Sequence, residues 1–332
     1  MLSVIALVNP GIQLSVRRST ERVRGIRTVE VSLRPALERG LPVLAFLFSI
    51  SCHPTGASTP APEGARVLTL RGGALRLRAF EWPGEGTPLL MLHGLGGNAA
   101  SWTPLIPGLA GRHIIAIDLP GHGESPEGPT WDFGPMARDV VAAVRSRWPG
   151  DHIWVGHSWG GKLAVACVSA DGAAVRGVVL VDAVQASPLP INEPALTVNR
   201  LFAGELDPWP SLESALAQVR KLPQFSPWTP AVEVAFRRAV RVEPNGRVFP
   251  LLTREKGAAI MRTFATDLSR EAAMIRAPVL VLSAPQSPFE SAQRAIFPAA
   301  DFVSLGGNHW LQISNPEGTS SAILAWLQLH RL

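Results

Sequence analysis

The sequence predicts an α/β protein, a mostly parallel, doubly wound sheet carrying a helical lid insertion. Three observations lead there. Short apolar runs recur from residue 65 onward, as strands buried on both faces of a parallel sheet require. Segments with helical spacing fall between them, and that alternation makes a doubly wound sheet. One strand then runs straight into a serine set between glycines, Gly156-His157-Ser158-Trp159-Gly160, with an apolar helix after it.

The regular part opens with residues 67–70 and 75–80. They are separated by Arg71-Gly72-Gly73 and read as a strand pair with a glycine turn, the second alternating apolar and basic residues like a half-exposed edge strand. Residues 88–92 form a continuous apolar strand ending in His93-Gly94-Leu95-Gly96-Gly97. A helix near 101–109, closed by Gly111, precedes a strand over 113–117 that opens into Asp118-Leu119-Pro120-Gly121-His122-Gly123-Glu124-Ser125. Residues 133–148 predict a helix with Met136, Val140, Val141, Val144 and Trp148 on one face. The strand 153–155 leads to Ser158, and 163–168 read as a buried helix. A strand over 177–181 ends in Asp182; 278–282 and 301–305 are further strands, and 319–329 is a closing helix.

Between 184 and about 254 the alternation breaks. The stretch is rich in Pro and large apolar residues, among them Leu201, Phe202, Trp209, Phe225, Trp228 and Phe236. Two helices are expected, 211–222 with Ser211 as N-cap and 231–242 with Thr229 as cap and Pro230 at the first helical position. Asn245-Gly246 marks a tight turn. The insertion is read as a lid over Ser158.

At 332 residues the chain is long enough for one large domain with an insertion. Net charge is +5, but residues 1–60 hold seven Arg against three Glu, so most of the excess lies outside the regular part. No basic patch interleaved with aromatics appears there, which argues against nucleic acid as a partner. Residues 1–64 are expected to be an extension and linker, disordered or signal-like, ahead of a domain over 65–332. Their one apolar run, 41–51, is shorter than the roughly 20 residues a membrane-spanning helix needs. It has the length of a signal-peptide core, and Cys52 after it resembles a lipoprotein cleavage site, although Ser49 replaces the usual Leu. The two cysteines, Cys52 and Cys167, make neither a disulfide framework nor a zinc pattern. The expectation is therefore a cytoplasmic protein, with export or lipid anchoring through Cys52 as the alternative.

Ser158 is the candidate nucleophile. A sharp strand-to-helix turn lifts such a hydroxyl clear of the sheet, and side chains at 156 or 160 would hinder it. The bland reading of the same five residues is an ordinary Gly-rich connection. Over about residues 67–332 the chain resembles the α/β-hydrolase superfamily, as a serine esterase- or lipase-like member. The resemblance is carried by the glycine-rich loop after the third strand, the Asp118–Ser125 motif after the fourth, the Ser158 turn after the fifth and Gly306-Gly307-Asn308-His309-Trp310 after the last. It implies that His309 is the base for Ser158 and that the backbone N–H groups of Leu95 and Trp159 form the oxyanion hole. His93 and Gly94 would shape the loop before Leu95, and His122 would be structural.

The acid departs from the family pattern. Most relatives carry an Asp after the strand at 279–282, where this chain has Ser283-Ala284-Pro285-Gln286-Ser287. Asp182, at the end of the preceding strand, keeps the order Ser, Asp, His. Glu290, just beyond the vacant place, is the alternative acid.

The resemblance implies a hydrolase cleaving a carboxylic ester or related acyl substrate through an acyl-enzyme, with no metal or organic cofactor. Serine rather than Asp in the turn argues against dehalogenases and epoxide hydrolases. The apolar lid points to a small-molecule substrate with hydrophobic parts. Peptidases, C–C hydrolases and acyltransferases of the superfamily share these motifs. The alternative of a different class is a non-catalytic binding protein on the same fold, motivated by the vacant acid position.

Overall fold

The computed structural model describes residues 60–332 and two earlier strand segments. The chain divides into two compact units, Met1–Pro54 and Thr55–Leu332. In the first, Ile12–Arg18 pairs antiparallel with Val29–Pro35, Val16 opposite Val31. Both segments carry a period-2 alternation, Gln13-Leu14-Ser15-Val16 and Val29-Glu30-Val31-Ser32, which the reading of residues 1–64 as an extension and linker did not use. The apolar run at 41–51 and Cys52 lie outside the described residues.

The second unit is built on an eight-stranded sheet. Its strands are β1 (Arg66–Gly72), β2 (Leu75–Trp82), β3 (Glu85–Leu92), β4 (Arg112–Ile117), β5 (His152–His157), β6 (Val175–Val181), β7 (Val279–Ser283) and β8 (Asp301–Ser304). In space they run β8-β7-β6-β5-β3-β4-β2-β1. Only β1–β2 and β2–β4 pair antiparallel; all other neighbours are parallel. The continuous apolar runs follow from this arrangement. Leu90, Leu92, Ile115, Ile117 and Leu180 join one core cluster, while Leu89, Met91, Ile114, Ala116 and Val179 join another on the opposite face. Each fully buried Leu or Ile contributes about 1.5–3 kcal/mol, an upper figure because unfolded chains also hide apolar surface.

Helices α1 (Phe133–Arg145) and α2 (Trp159–Asp171) cover the first face. The helix expected near 101–109 is instead two 3₁₀ turns, Ala99–Leu105 and Pro107–Leu109. Pro104 and Pro107 remove the amide donors a regular α-helix would need there. Together with Trp326 and Ile323 of the last helix they cover the second face.

The insertion holds α3 (Pro194–Leu201), α4 (Leu212–Val219) and α5 (Pro230–Arg238). Ser211 caps α4 and Thr229 caps α5, as read from the sequence. The second expected helix stops at Arg238 rather than 242, because Val240–Val242 pairs as a strand with Val248–Pro250 around the Asn245-Gly246 turn. Alternating β-branched residues and a glycine at φ +83° favour that hairpin. Trp209, Leu216, Val219, Phe236 and Val248 give the insertion a small core of its own. The chain returns through α6 (Arg254–Arg262) and α7 (Ser269–Ala273) to β7, and α8 (Glu290–Ile296), α9 (Leu311–Ser314) and α10 (Pro316–Leu329) complete it. Among the described residues no helix is long and apolar enough to cross a membrane.

Candidate active site

Ser158, Asp182 and His309 follow the carboxyl ends of β5, β6 and β8, the sheet edge at which ligands bind in open parallel sheets. Ser158 has φ +52° and ψ −121°, a conformation that costs a non-glycine residue about 1–3 kcal/mol. The surroundings fix it. Its N–H donates to the Val181 carbonyl at 3.2 Å, and its own carbonyl accepts from Gly161 and Val184 at 3.0 Å each. The flanking glycines are required by contact. A Cβ on Gly156 would stand 2.5 Å from the Gly160 carbonyl oxygen, and one on Gly160 would stand 2.3 Å from that of His93.

The hydroxyl of Ser158 lies 2.9 Å from Nε2 of His309, and Nδ1 of His309 lies 2.6 Å from Oδ2 of Asp182. The carboxylate can only accept, so it takes the Nδ1 proton and leaves Nε2 as acceptor for the Ser158 hydroxyl. Asp182 is 3 % exposed. Its other oxygen accepts the Ala284 N–H at 3.1 Å. Burial pushes the Asp182 carboxyl up, but hydrogen bonds from His309, Ser287 and the Ala284 amide outweigh it and hold the group below its ordinary value. Ser287, the residue at the vacant acid position, thus serves the carboxylate that came from the neighbouring strand.

Glu290 has a different partner. It opens α8 and pairs with Arg294 one turn on, at 2.7 Å, so the alternative acid is engaged away from His309. An (i, i+4) pair on a helix surface satisfies it locally.

Both proposed oxyanion donors border the serine. Trp159 is the first residue of α2, so its N–H has no intrahelical acceptor. Leu95 follows Gly94, where a Cβ would come 3.0 Å from Cβ of Ser158. Two histidines tie that loop to the turn after β4. His93 faces the Gly94 carbonyl through Nδ1 at 2.8 Å and accepts the Leu119 N–H through Nε2 at 2.9 Å. His122 faces the Pro120 carbonyl through Nδ1 at 2.9 Å and accepts the Gly96 N–H through Nε2 at 3.3 Å. Burial lowers His122 to about 4, in keeping with a neutral ring that accepts.

Two supports were not legible in sequence. His157 donates through Nε2 to the His309 carbonyl at 2.8 Å, and burial followed by the charge of His309 lowers it to about 3. Asn308 bonds Ser314 Oγ through its backbone and the Pro223 carbonyl of the insertion through its side chain, at 3.0 and 2.8 Å. Neither residue type announces that role, since the side chains of His157 and Asn308 meet backbone carbonyls 152 and 85 positions away.

A cleft of about 70 Å³, partly open to solvent, is lined by Gly94 and His157, the neighbours of the serine. Gly94, Leu95, His157 and Trp310 form its inner wall, and Phe202, Phe225 and Phe236 of the insertion its outer one. Among the described residues no group of three or more His, Cys, Asp or Glu is placed to hold a metal ion.

The model of the alpha/beta hydrolase family matches residues 89–322, which takes in β3, the Ser158 turn and His309. The chain belongs to that family. Its sequence is 26 % identical over 273 residues to an sn-1-specific diacylglycerol lipase of Danio rerio, covering 75 % of this chain and 81 % of the lipase. It is also 41 % identical over 118 residues to the dihydrolipoyllysine-residue acetyltransferase component of an acetoin-cleaving system from Pseudomonas putida. That match covers 33 % of this chain and only 29 % of the relative's length. Among solved structures, E-2-(acetamidomethylene)succinate hydrolase superposes with a TM-score of 0.67 at 24 % identity, over 79 % of this chain and all of that one. This last likeness concerns the alpha/beta hydrolase fold alone.

Proposed function

We propose that the chain is a serine hydrolase that cleaves carboxylic esters through an acyl-enzyme. The observation carrying this reading is the unbroken hydrogen-bond chain from Ser158 through His309 to Asp182, at 2.9 and 2.6 Å. Ser158 Oγ attacks the ester carbonyl carbon while His309 Nε2 takes its proton. Asp182 stabilises the imidazolium that results. The oxyanion is held by the N–H groups of Trp159 and Leu95, each such donor worth about 10²–10³ in rate. His309 then returns the proton to the departing alkoxide, and water repeats the cycle on the acyl-enzyme to release the acid.

Family membership and the Danio rerio relative, named as a lipase, support an ester as substrate. The aromatic outer wall of the cleft supports a small molecule with an apolar part. The Asp182 carboxylate, 2.6 Å from His309 Nδ1, supports the hydrolase reading over the binding-protein alternative. A cytoplasmic setting belongs to the same proposal, and cell fractionation tests it.

The test is hydrolysis of p-nitrophenyl esters of graded acyl length by wild type and Ser158→Ala. Turnover by wild type and its loss in the variant support the proposal. A folded wild type with no turnover across the series, or an equally active variant, contradicts it.

A further inference from the structure

The cleft near Ser158 is walled by aromatic residues of the insertion and holds one carboxyl, that of Glu205. Phe202, Trp209, Phe225 and Phe236 bring four aromatic rings to it. Trp209 and Phe225 each stand edge-on to Phe236, with centroids 6.0 and 6.1 Å apart. Glu205 lines the same cleft, hydrogen-bonded to the side-chain amide of Gln224. Among the described residues no Lys or Arg lines the cleft and Glu205 enters no ion pair. A second acceptor accompanies it. Gln312 is 1 % exposed, lines the cleft, and its side-chain oxygen has no hydrogen-bond partner among the described residues.

The position of Glu205 relative to the reacting atoms is set through Phe202. The Glu205 N–H donates to the Phe202 carbonyl at 2.9 Å. The Phe202 ring packs on Gly96, where a Cβ would come within 2.9 Å of it, and Gly96 follows Leu95 of the oxyanion loop. The carboxyl therefore sits about one turn of chain beyond a ring that touches that loop.

Burial raises Glu205 to about 7, and the Gln224 hydrogen bond lowers it only in part. A carboxylate buried in a cleft lined with aromatic residues and without a cation is costly, and a bound cation relieves that cost. Ring faces attract cations as well, and aromatic cages are a recurrent means of holding substituted ammonium groups. An anionic substrate would be repelled. A neutral alkyl chain would leave the carboxyl with the Gln224 amide and no counter-charge.

We propose that this cleft binds the ammonium-bearing part of a cationic ester, with Glu205 and the surrounding aromatic rings recognising the charged nitrogen. The inference rests on the ester-hydrolase reading and narrows it to esters whose acyl or alcohol part carries a substituted ammonium group. Glu205 is then a specificity residue, remote from the bond that breaks.

The test compares kcat/KM at pH 8 for butyrylthiocholine and its uncharged isostere, 3,3-dimethylbutyl thiobutyrate. Wild type is expected to favour the cation by about tenfold or more, and Glu205→Gln to lower that ratio by about threefold or more, the rings retaining the rest. Equal rates or a preference for the neutral isostere in wild type, or a ratio unchanged in Glu205→Gln, overturns the inference. Calorimetric binding of butyrylcholine to Ser158→Ala separates the two readings. Binding that needs Glu205, with no turnover of either ester by wild type, keeps the inference about the cleft and contradicts the hydrolase reading. Turnover without preference does the reverse, and absence of both binding and turnover contradicts the two together.

Discussion

Asp182 Oδ2 lies 2.6 Å from His309 Nδ1 across 127 positions of sequence, and it reaches there from the end of β6 rather than β7. The strand β6 lies next to β5, which carries Ser158, so serine and carboxylate stand on adjacent strands and the histidine descends between them from beyond β8. Asp182 takes φ +39° to do this, and Ser287 and Ala284 of the β7 loop both hydrogen-bond its carboxylate.

Asp182→Asn is expected to lower kcat by at least about two orders of magnitude, because the wrong imidazole tautomer is then favoured. Ser287→Ala, which removes one hydrogen bond to a charged acceptor, is expected to lower kcat several-fold, corresponding to about 1–2 kcal/mol. Both are read on a p-nitrophenyl ester. Near-normal turnover in Asp182→Asn rules out the assigned acid.

Arg238 joins the insertion to the main unit from the end of α5. Its guanidinium, 4 % exposed as a residue, lies 2.8 Å from Glu124 and 3.4 Å from the fully buried Asp118, and packs 4.5 Å from the Phe80 ring. Burial pushes the Asp118 carboxyl up, and the Arg238 charge opposes it. Arg238→Met is expected to cost about 3–5 kcal/mol in denaturant unfolding, since it strands a buried carboxylate. Asp118→Asn combined with it should recover part of the loss, and strictly additive losses would show that the pair is uncoupled.

Gly160→Ala is expected to abolish soluble folded protein or to lower stability by at least about 1–3 kcal/mol, because its Cβ has only the His93 and Leu92 carbonyls to meet, at 2.3 and 2.5 Å. Thermal unfolding measures it. Gly150→Ala, with nothing within 4 Å of the added carbon, is the control.

Acid lability follows from Asp171, 4 % exposed beneath the sheet. Burial pushes its carboxyl up, but hydrogen bonds from His152, Arg145 and Trp154 hold it below its ordinary 3.8. A group depressed in the folded state lends stability that is fully present above 3.8 and is lost as pH falls through the folded value, where the unfolded chain binds more protons. Asp171→Asn should therefore lower the melting temperature at pH 7, and the gap to wild type should narrow as pH falls below that ordinary value. A gap constant with pH contradicts the assignment.

The sheet and the serine turn were legible in sequence because each rests on local rules. Leu89 to Leu92 announce a strand covered on both faces, and Gly156 and Gly160 announce a turn with no room for side chains. For the acid the sequence favoured Asp182 and kept Glu290 as the alternative, because the pairing depends on where the β7 loop sends Ser287 and where α8 begins. Glu290 stands close in sequence to the vacant place, yet a helix turn hands it to Arg294. Arg238 and His157 gave no signal. The first is one of 28 arginines, and the second acts on a backbone carbonyl 152 residues away.

The most direct test of the central claim is covalent labelling with a fluorophosphonate, read by peptide mass spectrometry. One adduct is expected on wild type, on the peptide containing Ser158, and none on Ser158→Ala. A folded wild type left unlabelled, or labelled at another residue while Ser158 stays free, would contradict that claim.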